Sequence, residues 1–340
     1  FRSVAGVIVS VIFGVWRYAN AVPALYSDSQ KVPSVAGVRP PAHWAAAVDK
    51  TRQLARAEVS TQNLPGLSVA VGVGRDIVWS EGFGWANIER HAPVSPNMRF
   101  RIGHVSKALT SAGVGVLREQ AKLNLEAEIQ TYVPSYPKKP WPVTLRGLMG
   151  HMAGLKHYSG EEADVPSEHC ARAADAVPEF AADPLLFEPS TQYGYSTYGW
   201  VLVSAAVEGA AGEPFFSFMR SRVFTPLGMT DTMPDSVIEP IADRVTFYFP
   251  RFSGDNAFGH ELAKTVDYSC FAGAGAFLST PSDLVTFGIA MNSGTLLEPA
   301  TVKMLQTPQS LTSGKDIEYG LGWTIETVEL AGASARLVST

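Results

Sequence analysis

Hydrophobic positions recur along the chain with periods that predict strands near its two ends and helices between them. Two apolar runs, 67–73 and 77–85, flank the turn Gly74-Arg75-Asp76, and two such runs around a tight turn predict a β-hairpin. Residues 42–62 precede them and are rich in Ala, Arg, Gln and Glu, which favour helix. The amino-terminal part therefore predicts a helix followed by a hairpin.

The middle of the chain has a mostly helical pattern. Apolar residues at Val105, Leu109, Val116 and Leu117 predict a helix over 104–120. The four prolines within 132–142 predict a loop. Further helices are predicted over 143–149, 198–209 and 214–224, and further strands over 245–249 and 320–328.

The first 41 residues differ in composition from the rest. An uncharged apolar run, 4–16, is shorter than the roughly 20 residues that a membrane span needs. Together with the small-residue site Ala19-Asn20-Ala21, it favours a signal-like or membrane-anchor segment over 1–25, with a buried helix as the alternative. Prolines indicate a linker over 26–41. We assign 42–340 to one domain, with a helical insert over about 104–240.

Composition excludes several classes of protein. A chain with 46% hydrophobic and 17% charged residues is too apolar to be disordered. The net charge of -5, with scattered Lys and Arg, is not typical of a nucleic-acid-binding protein. The two cysteines, Cys170 and Cys270, form no CxxC pair, and we expect two buried thiols, with one long-range disulfide as the alternative. We expect neither a metal nor a cofactor.

Six phrases in a fixed order carry a family resemblance. They are Phe100-Arg101-Ile102-Gly103-His104-Val105-Ser106-Lys107, Leu148-Met149-Gly150-His151-Met152-Ala153-Gly154-Leu155, Tyr195-Ser196-Thr197-Tyr198-Gly199, Pro226-Leu227-Gly228-Met229, the segment 274–284 and Tyr319-Gly320-Leu321-Gly322-Trp323. They resemble phrases of the serine β-lactamase-related family, which includes class C β-lactamases, penicillin-binding proteins and esterases. The Tyr-Ser-Thr variant is most similar to the mitochondrial branch of that family and its bacterial relatives.

The resemblance implies a fold of the α/β (α+β) class. In that family an antiparallel sheet is flanked by helices, a mostly helical subdomain is inserted, and the site lies between them. A third family motif, His/Lys-Thr/Ser-Gly, is absent from residues 1–340, so we expect a chain truncated at the C-terminal sheet strands.

The resemblance also implies acyl transfer at a serine. In the family, a serine opens a helix and a lysine follows three residues later, so both side chains lie on one helix face and the lysine takes the serine proton. A tyrosine shuttles that proton to the leaving group. Here Lys107 and Tyr195 match the lysine and the tyrosine, Thr197 replaces a substrate-binding asparagine, and His104 stands at the nucleophile position.

Other residues are weaker candidates for the nucleophile. Ser106 is next to Lys107 and is expected to point away, because successive helical residues are about 100° apart. Ser135 and Lys138 match Ser-x-x-Lys, but Pro137 argues against the helix that this motif needs. His104 itself would form a labile acyl-imidazole.

Two functional hypotheses follow from this sequence. The first is a serine hydrolase family member acting on peptide, amide or ester bonds, with impaired chemistry as written, so that enzyme activity is left open. The second is a catalytically inactive binding or scaffold protein. We also weigh a chain that does not fold alone, because unpaired strand edges promote aggregation.

The expected partners and location follow the same resemblance. We expect a small-molecule or peptide substrate, no nucleic acid, membrane association through the amino-terminal segment and a homo-oligomer. We expect an exported or membrane-anchored protein, periplasmic or extracellular, or a mitochondrial one in a eukaryote.

Overall fold

The computed structural model describes Trp16 and residues 22–158, 169–251 and 258–340. Contacts divide the chain into two compact units, one of Phe1–Met98 with Asp243–Lys264 and one of Arg99–Ala242 with Thr265–Thr340. The predicted signal-like segment 1–25 lies largely outside the described residues. Among the helices that are described, none is both long and apolar enough to cross a membrane. The single domain over 42–340 and its insert stay predictions.

The described chain contains helices and strands in runs of several elements. The helices are α1 (Ala45–Thr61), α2 (Ser106–Glu119), α3 (Leu145–Met149), α4 (Pro178–Ala181), α5 (Thr197–Ala211), α6 (Phe215–Met219), α7 (Pro281–Ser293) and α8 (Pro299–Leu305). The strands are β1 (Ser34–Ala36), β2 (Gly66–Val73), β3 (Asp76–Asn87), β4 (Ala92–Pro93), β5 (Phe100–Arg101), β6 (Met233–Pro234), β7 (Tyr248–Pro250), β8 (His260–Leu262), β9 (Phe277–Ser279), β10 (Thr324–Leu330) and β11 (Ala333–Ser339).

The first unit is a small antiparallel sheet packed against helix α1. Strand β3 lies between β1 and β2, and β4 pairs with β3. Helix α1 buries Val48 and Val59 against Trp79 and Phe83 of β3. The hairpin and the helix before it, both predicted from the pattern of residues, are confirmed.

The segment 26–41 is more than the linker that its prolines indicate. Tyr26 and Val32 are buried in the core of the first unit. Strand β1 lies within this segment and pairs with β3, placing Val35 opposite Gly82. Proline disfavours the interior of a helix but is tolerated beside an edge strand, so composition alone does not separate a linker from such a strand.

The core of the second unit surrounds helix α5. Trp200, Val203 and Val207 of this helix are fully buried. A helix that is hydrophobic on all sides must be buried on all sides. Strands β5, β9 and β6 form one antiparallel sheet, and β10 pairs with β11 in another. Pairs of described strands are antiparallel throughout, which confirms the predicted fold class.

The helices of the second unit differ in part from those predicted, and α6 and α7 are two examples. The predicted helix 214–224 divides into α6 and a π-helical turn, Arg220–Phe224. Helix α7 was not predicted, although Thr280 caps it by accepting a hydrogen bond from the Asp283 N–H at 3.2 Å. A Thr-Pro-x-Asp start is a recognisable helix signal.

The expectation of two free thiols was wrong. Cys170 and Cys270 form a disulfide across a sequence separation of 100 residues. The N–H of Cys170 donates to Ser269 Oγ at 2.9 Å, so folding brings the two segments together beside the bond. Sequence separation carries no information on this proximity.

Helix α5 leaves no room for a side chain at Gly209. A Cβ there would lie 2.0 Å from the carbonyl oxygen of Tyr132, whereas a Cβ at Gly288 of α7 would meet nothing within 4 Å. We expect Gly209→Ala to lower the free energy of unfolding by about 2 kcal/mol or more. Gly288→Ala is the matched control and should raise it by about 0.5–1 kcal/mol, because alanine is the better helix former. Urea denaturation measures both, and equal effects would contradict the packing described.

Candidate active site

The amino-terminal end of α2 presents the first half of the site. A single 3-10 turn, Gly103–Val105, leads into the helix and carries His104. Gly103 has a φ of 49°, a backbone conformation that glycine adopts without strain. Lys107 follows in the first turn of α2, and its side chain is buried, with the residue only 1% exposed.

The amino-terminal end of α5 presents the second half. Ser196 is the N-cap residue, and its Oγ accepts a hydrogen bond from the Gly199 N–H at 3.0 Å. This cap fixes the start of the helix. Tyr195 immediately precedes the cap, and Thr197 is the first helical residue.

The two helix ends bring together the predicted site residues. Lys107 Nζ donates a hydrogen bond to Tyr195 Oη. His104 Nδ1 lies 2.8 Å from Tyr195 Oη, and His104 Nε2 lies 3.3 Å from Thr197 Oγ1. Because Tyr195 Oη already accepts from the lysine, we assign its proton to the bond with Nδ1. The neutral imidazole then carries its proton on Nε2 and donates it to Thr197.

Burial controls the protonation of these groups. It lowers the pKa of Lys107 to about 7 and raises the pKa of Tyr195 to about 12. The pKa of His104 is lowered to about 4 by burial of the ring and then by the charges of Lys107 and His157. The residue nevertheless keeps an exposed face. At neutral pH the site therefore holds a neutral imidazole, a protonated tyrosine and a lysine close to half-protonation.

Two further histidines, which the sequence did not assign to the site, complete the cluster. The backbone N–H of Ser196 donates to His151 Nδ1 at 3.0 Å, and that of Thr197 donates to His157 Nδ1 at 3.2 Å. Burial lowers the pKa of both imidazoles. Within the ranges described, histidines, cysteines and acidic residues form no cluster suited to a metal ion. The contacts of His151 and His157 in the folded chain reveal that they accept these hydrogen bonds; their spacing in the sequence does not.

The alternative serines lie elsewhere. Ser106 is fully buried, and its Oγ accepts the backbone N–H of Phe277 at 3.4 Å. It therefore points into the core, as its place on the helix predicts. Ser135 lies in an exposed turn outside any helix. Among the described residues, neither serine hydroxyl forms a hydrogen bond with Tyr195.

The buried Lys107 paired with Tyr195 at two helix ends, in a mixed α/β fold with antiparallel sheets, matches the site and fold expected of the β-lactamase-fold serine hydrolases. The family model described as β-lactamase matches residues 51–338. The chain therefore belongs to the β-lactamase family.

Curated relatives include a mitochondrial protein and a bacterial one. The chain is 28% identical to the serine β-lactamase-like protein LACTB, mitochondrial, of Bos taurus, over 83% of this chain and 66% of that protein. It is also 28% identical to penicillin-binding protein 4* of Bacillus subtilis (strain 168), over 76% of this chain and 59% of that protein. The chain thus spans less than two thirds of the length of these relatives.

Solved structures share the fold. The octameric penicillin-binding protein homologue from Pyrococcus abyssi superimposes with a TM-score of 0.72 at 21% identity, over 86% of this chain and 67% of that one. A D-amino acid amidase from Ochrobactrum anthropi SV3, in complex with L-phenylalanine amide, gives a TM-score of 0.65 at 25% identity, over 81% and 78%. These similarities support the fold class predicted from sequence.

The charge of Lys107 is expected to act on His104 directly. We expect Lys107→Met to raise the pKa of His104 above about 4, because removing the nearby cation favours the imidazolium. The pKa should stay below its ordinary value, because burial remains the larger cause. Histidine NMR titration measures the change. Lys156→Met is the matched control, since Lys156 pairs with Asp183 and should leave His104 unchanged; an unmoved His104 in both variants would contradict the coupling.

Proposed function

We propose that this chain is a serine hydrolase family member whose acyl-transfer site is disabled at position 104. In this proposal it binds a small molecule or peptide bearing an amide or ester group without turning it over. The observation that carries the proposal is the double engagement of His104, whose two ring nitrogens lie at hydrogen-bond distance from Tyr195 Oη and Thr197 Oγ1.

The hydrogen bonds of His104 argue against catalysis by the imidazole itself. A nucleophile needs an unshared electron pair directed at the substrate. The lone pair at Nδ1 of His104 accepts the Tyr195 hydroxyl proton, and Nε2 carries the ring proton. Attack would require breaking the bond to Tyr195, and the acyl-imidazole formed would be labile.

The groups beside position 104 support a retained capacity for acyl transfer. Lys107 has a pKa of about 7, so a large fraction is neutral near neutral pH and can accept a proton. Tyr195 stays protonated there and can pass a proton onward. What the chain lacks at this point is a hydroxyl at residue 104.

Replacing the histidine should restore covalent chemistry. We expect His104→Ser, in the full chain, to be acylated by a fluorescent fluorophosphonate or a fluorescent β-lactam, while the natural chain is not. The reason is that the new hydroxyl would lie on the same face of the helix start as Lys107. Gel fluorescence measures the labelling, and intact mass confirms one adduct per chain.

Two control variants separate the causes. His104→Ala opens the same space without a nucleophile and should not be labelled. His104→Ser combined with Lys107→Met should be labelled at least about tenfold more slowly, because the base is gone. Labelling of the natural chain would overturn the proposal that its site is disabled. Absence of labelling in the His104→Ser variant would overturn the proposal that the neighbouring groups can still support acyl transfer.

The disulfide supports an exported location or another oxidising compartment. Disulfides persist in secreted and periplasmic proteins and are reduced in the cytosol. We include this location in the proposal, and we further propose that residues 1–25 attach the protein to a membrane. Self-association also belongs to it, supported by the homologue described as octameric.

The state of the cysteines tests the location. We expect protein isolated without reductant to show no alkylation of Cys170 or Cys270 by mass spectrometry. The Cys170→Ser, Cys270→Ser double variant should lose roughly 4 kcal/mol of unfolding free energy, because the bond closes a loop of about 100 residues. Alkylation of both thiols in freshly isolated protein would contradict the proposed compartment.

A further inference from the structure

One loop, residues 151–157, accepts a series of hydrogen bonds from the segment 186–196, which contains Tyr195. Donors from that segment to backbone carbonyl oxygens of the loop are Leu186 N–H to Gly154 (2.7 Å), Ser190 N–H to Met152 (2.8 Å), Gly194 N–H to His151 (2.8 Å) and Ser196 Oγ–H to Lys156 (2.7 Å). The loop therefore holds the chain on its approach to α5.

The series ends with two side-chain acceptors at the start of α5. The N–H groups of Ser196 and Thr197 occupy the N-cap and first helical positions, where a helix supplies no acceptor of its own. They donate to His151 Nδ1 and His157 Nδ1. These bonds complement the serine cap and fix the peptide units directly after Tyr195.

The same two imidazoles contact the tyrosine ring. The centroids of the His151 and Tyr195 rings are 4.4 Å apart, and those of His157 and Tyr195 are 5.4 Å apart in an edge-on arrangement. Each histidine therefore restrains both the ring and the backbone that follows it. Few rotations of Tyr195 are compatible with both sets of contacts.

Two features of His151 are unfavourable for the stability of the fold. Its φ is 57°, in the left-handed region that glycine and asparagine adopt more easily. It is 2% exposed, and its Nε2 has no hydrogen-bond partner among the described residues. Strain and an unmade hydrogen bond at one residue point to a role beyond packing.

We propose that His151 and His157 are positioning residues that hold Tyr195 against Lys107 by accepting the amide protons of Ser196 and Thr197. Both must then be neutral, with the proton on Nε2 and the lone pair of Nδ1 free to accept. An asparagine places its side-chain oxygen near the position of Nδ1 and can replace each acceptor. An alanine cannot.

The first experiment needs no activity and uses the natural chain and single variants of it. Imidazole ¹⁵N NMR at pH 7.5 should report unprotonated Nδ1 atoms for His151 and His157. Hydrogen exchange of the Ser196 and Thr197 amides should accelerate by about tenfold or more in His157→Ala and His151→Ala. His157→Asn and His151→Asn should keep most of the protection, and asparagine also suits the φ of residue 151.

A matched control is available in the same unit. Nδ1 of His169 lies 2.9 Å from Asp267 Oδ2, away from Tyr195, so His169→Ala removes a hydrogen-bonded imidazole without touching the α5 start. It should leave both amides protected. Equal exchange in the alanine and asparagine variants, or protonated Nδ1 atoms in the natural chain, would overturn the assignment.

A second experiment rests on the proposed function, because it uses the restored serine. In the His104→Ser background, His157→Ala should slow fluorophosphonate acylation by about tenfold or more, and His157→Asn should recover most of the rate. Equal rates in all three would overturn the positioning role. If His104→Ser is not acylated at all, the proposed function fails, while the NMR and exchange measurements still decide the role of the two histidines.

Discussion

The contact between Lys107 and Tyr195 depends on two buried helices whose amino-terminal ends lie next to each other. Helices α2 and α5 are packed over most of their length, so their side chains fix where their amino-terminal ends lie. At those ends the side chains of Lys107 and Tyr195 meet. Burial of the lysine there lowers its pKa to about 7, and this makes an ordinarily cationic side chain a candidate proton acceptor.

Position 104 decides what that arrangement can do. A serine there would offer a hydroxyl to the lysine, whereas His104 fills the space and uses its ring nitrogens on Tyr195 and Thr197. Under the proposed function, the histidine replaces a proton-transfer site with this hydrogen-bond network.

Sequence reasoning predicted the family, the antiparallel fold class and the approach of Lys107, Tyr195, Thr197 and His104, because short motifs at helix starts encode local geometry. It gave the Cys170–Cys270 bond only as the alternative to two buried thiols, and it did not predict the acceptor role of His151. Both depend on segments remote in sequence. Proline content likewise could not separate a linker from the edge strand β1. Periodicity encodes which face of an element is buried, but not which distant loop covers it.

Helix α5 has a polar group at each end of an apolar length. At its far end, Glu208 is buried and accepts hydrogen bonds from Arg172 Nε at 2.9 Å and the Phe215 N–H at 3.0 Å. That end anchors the helix, and the other end carries the reactive groups. Chemistry and structural support are therefore carried by different residues. Under the proposed function, a substitution at the amino-terminal end can change what the site does without disturbing the anchor at Glu208.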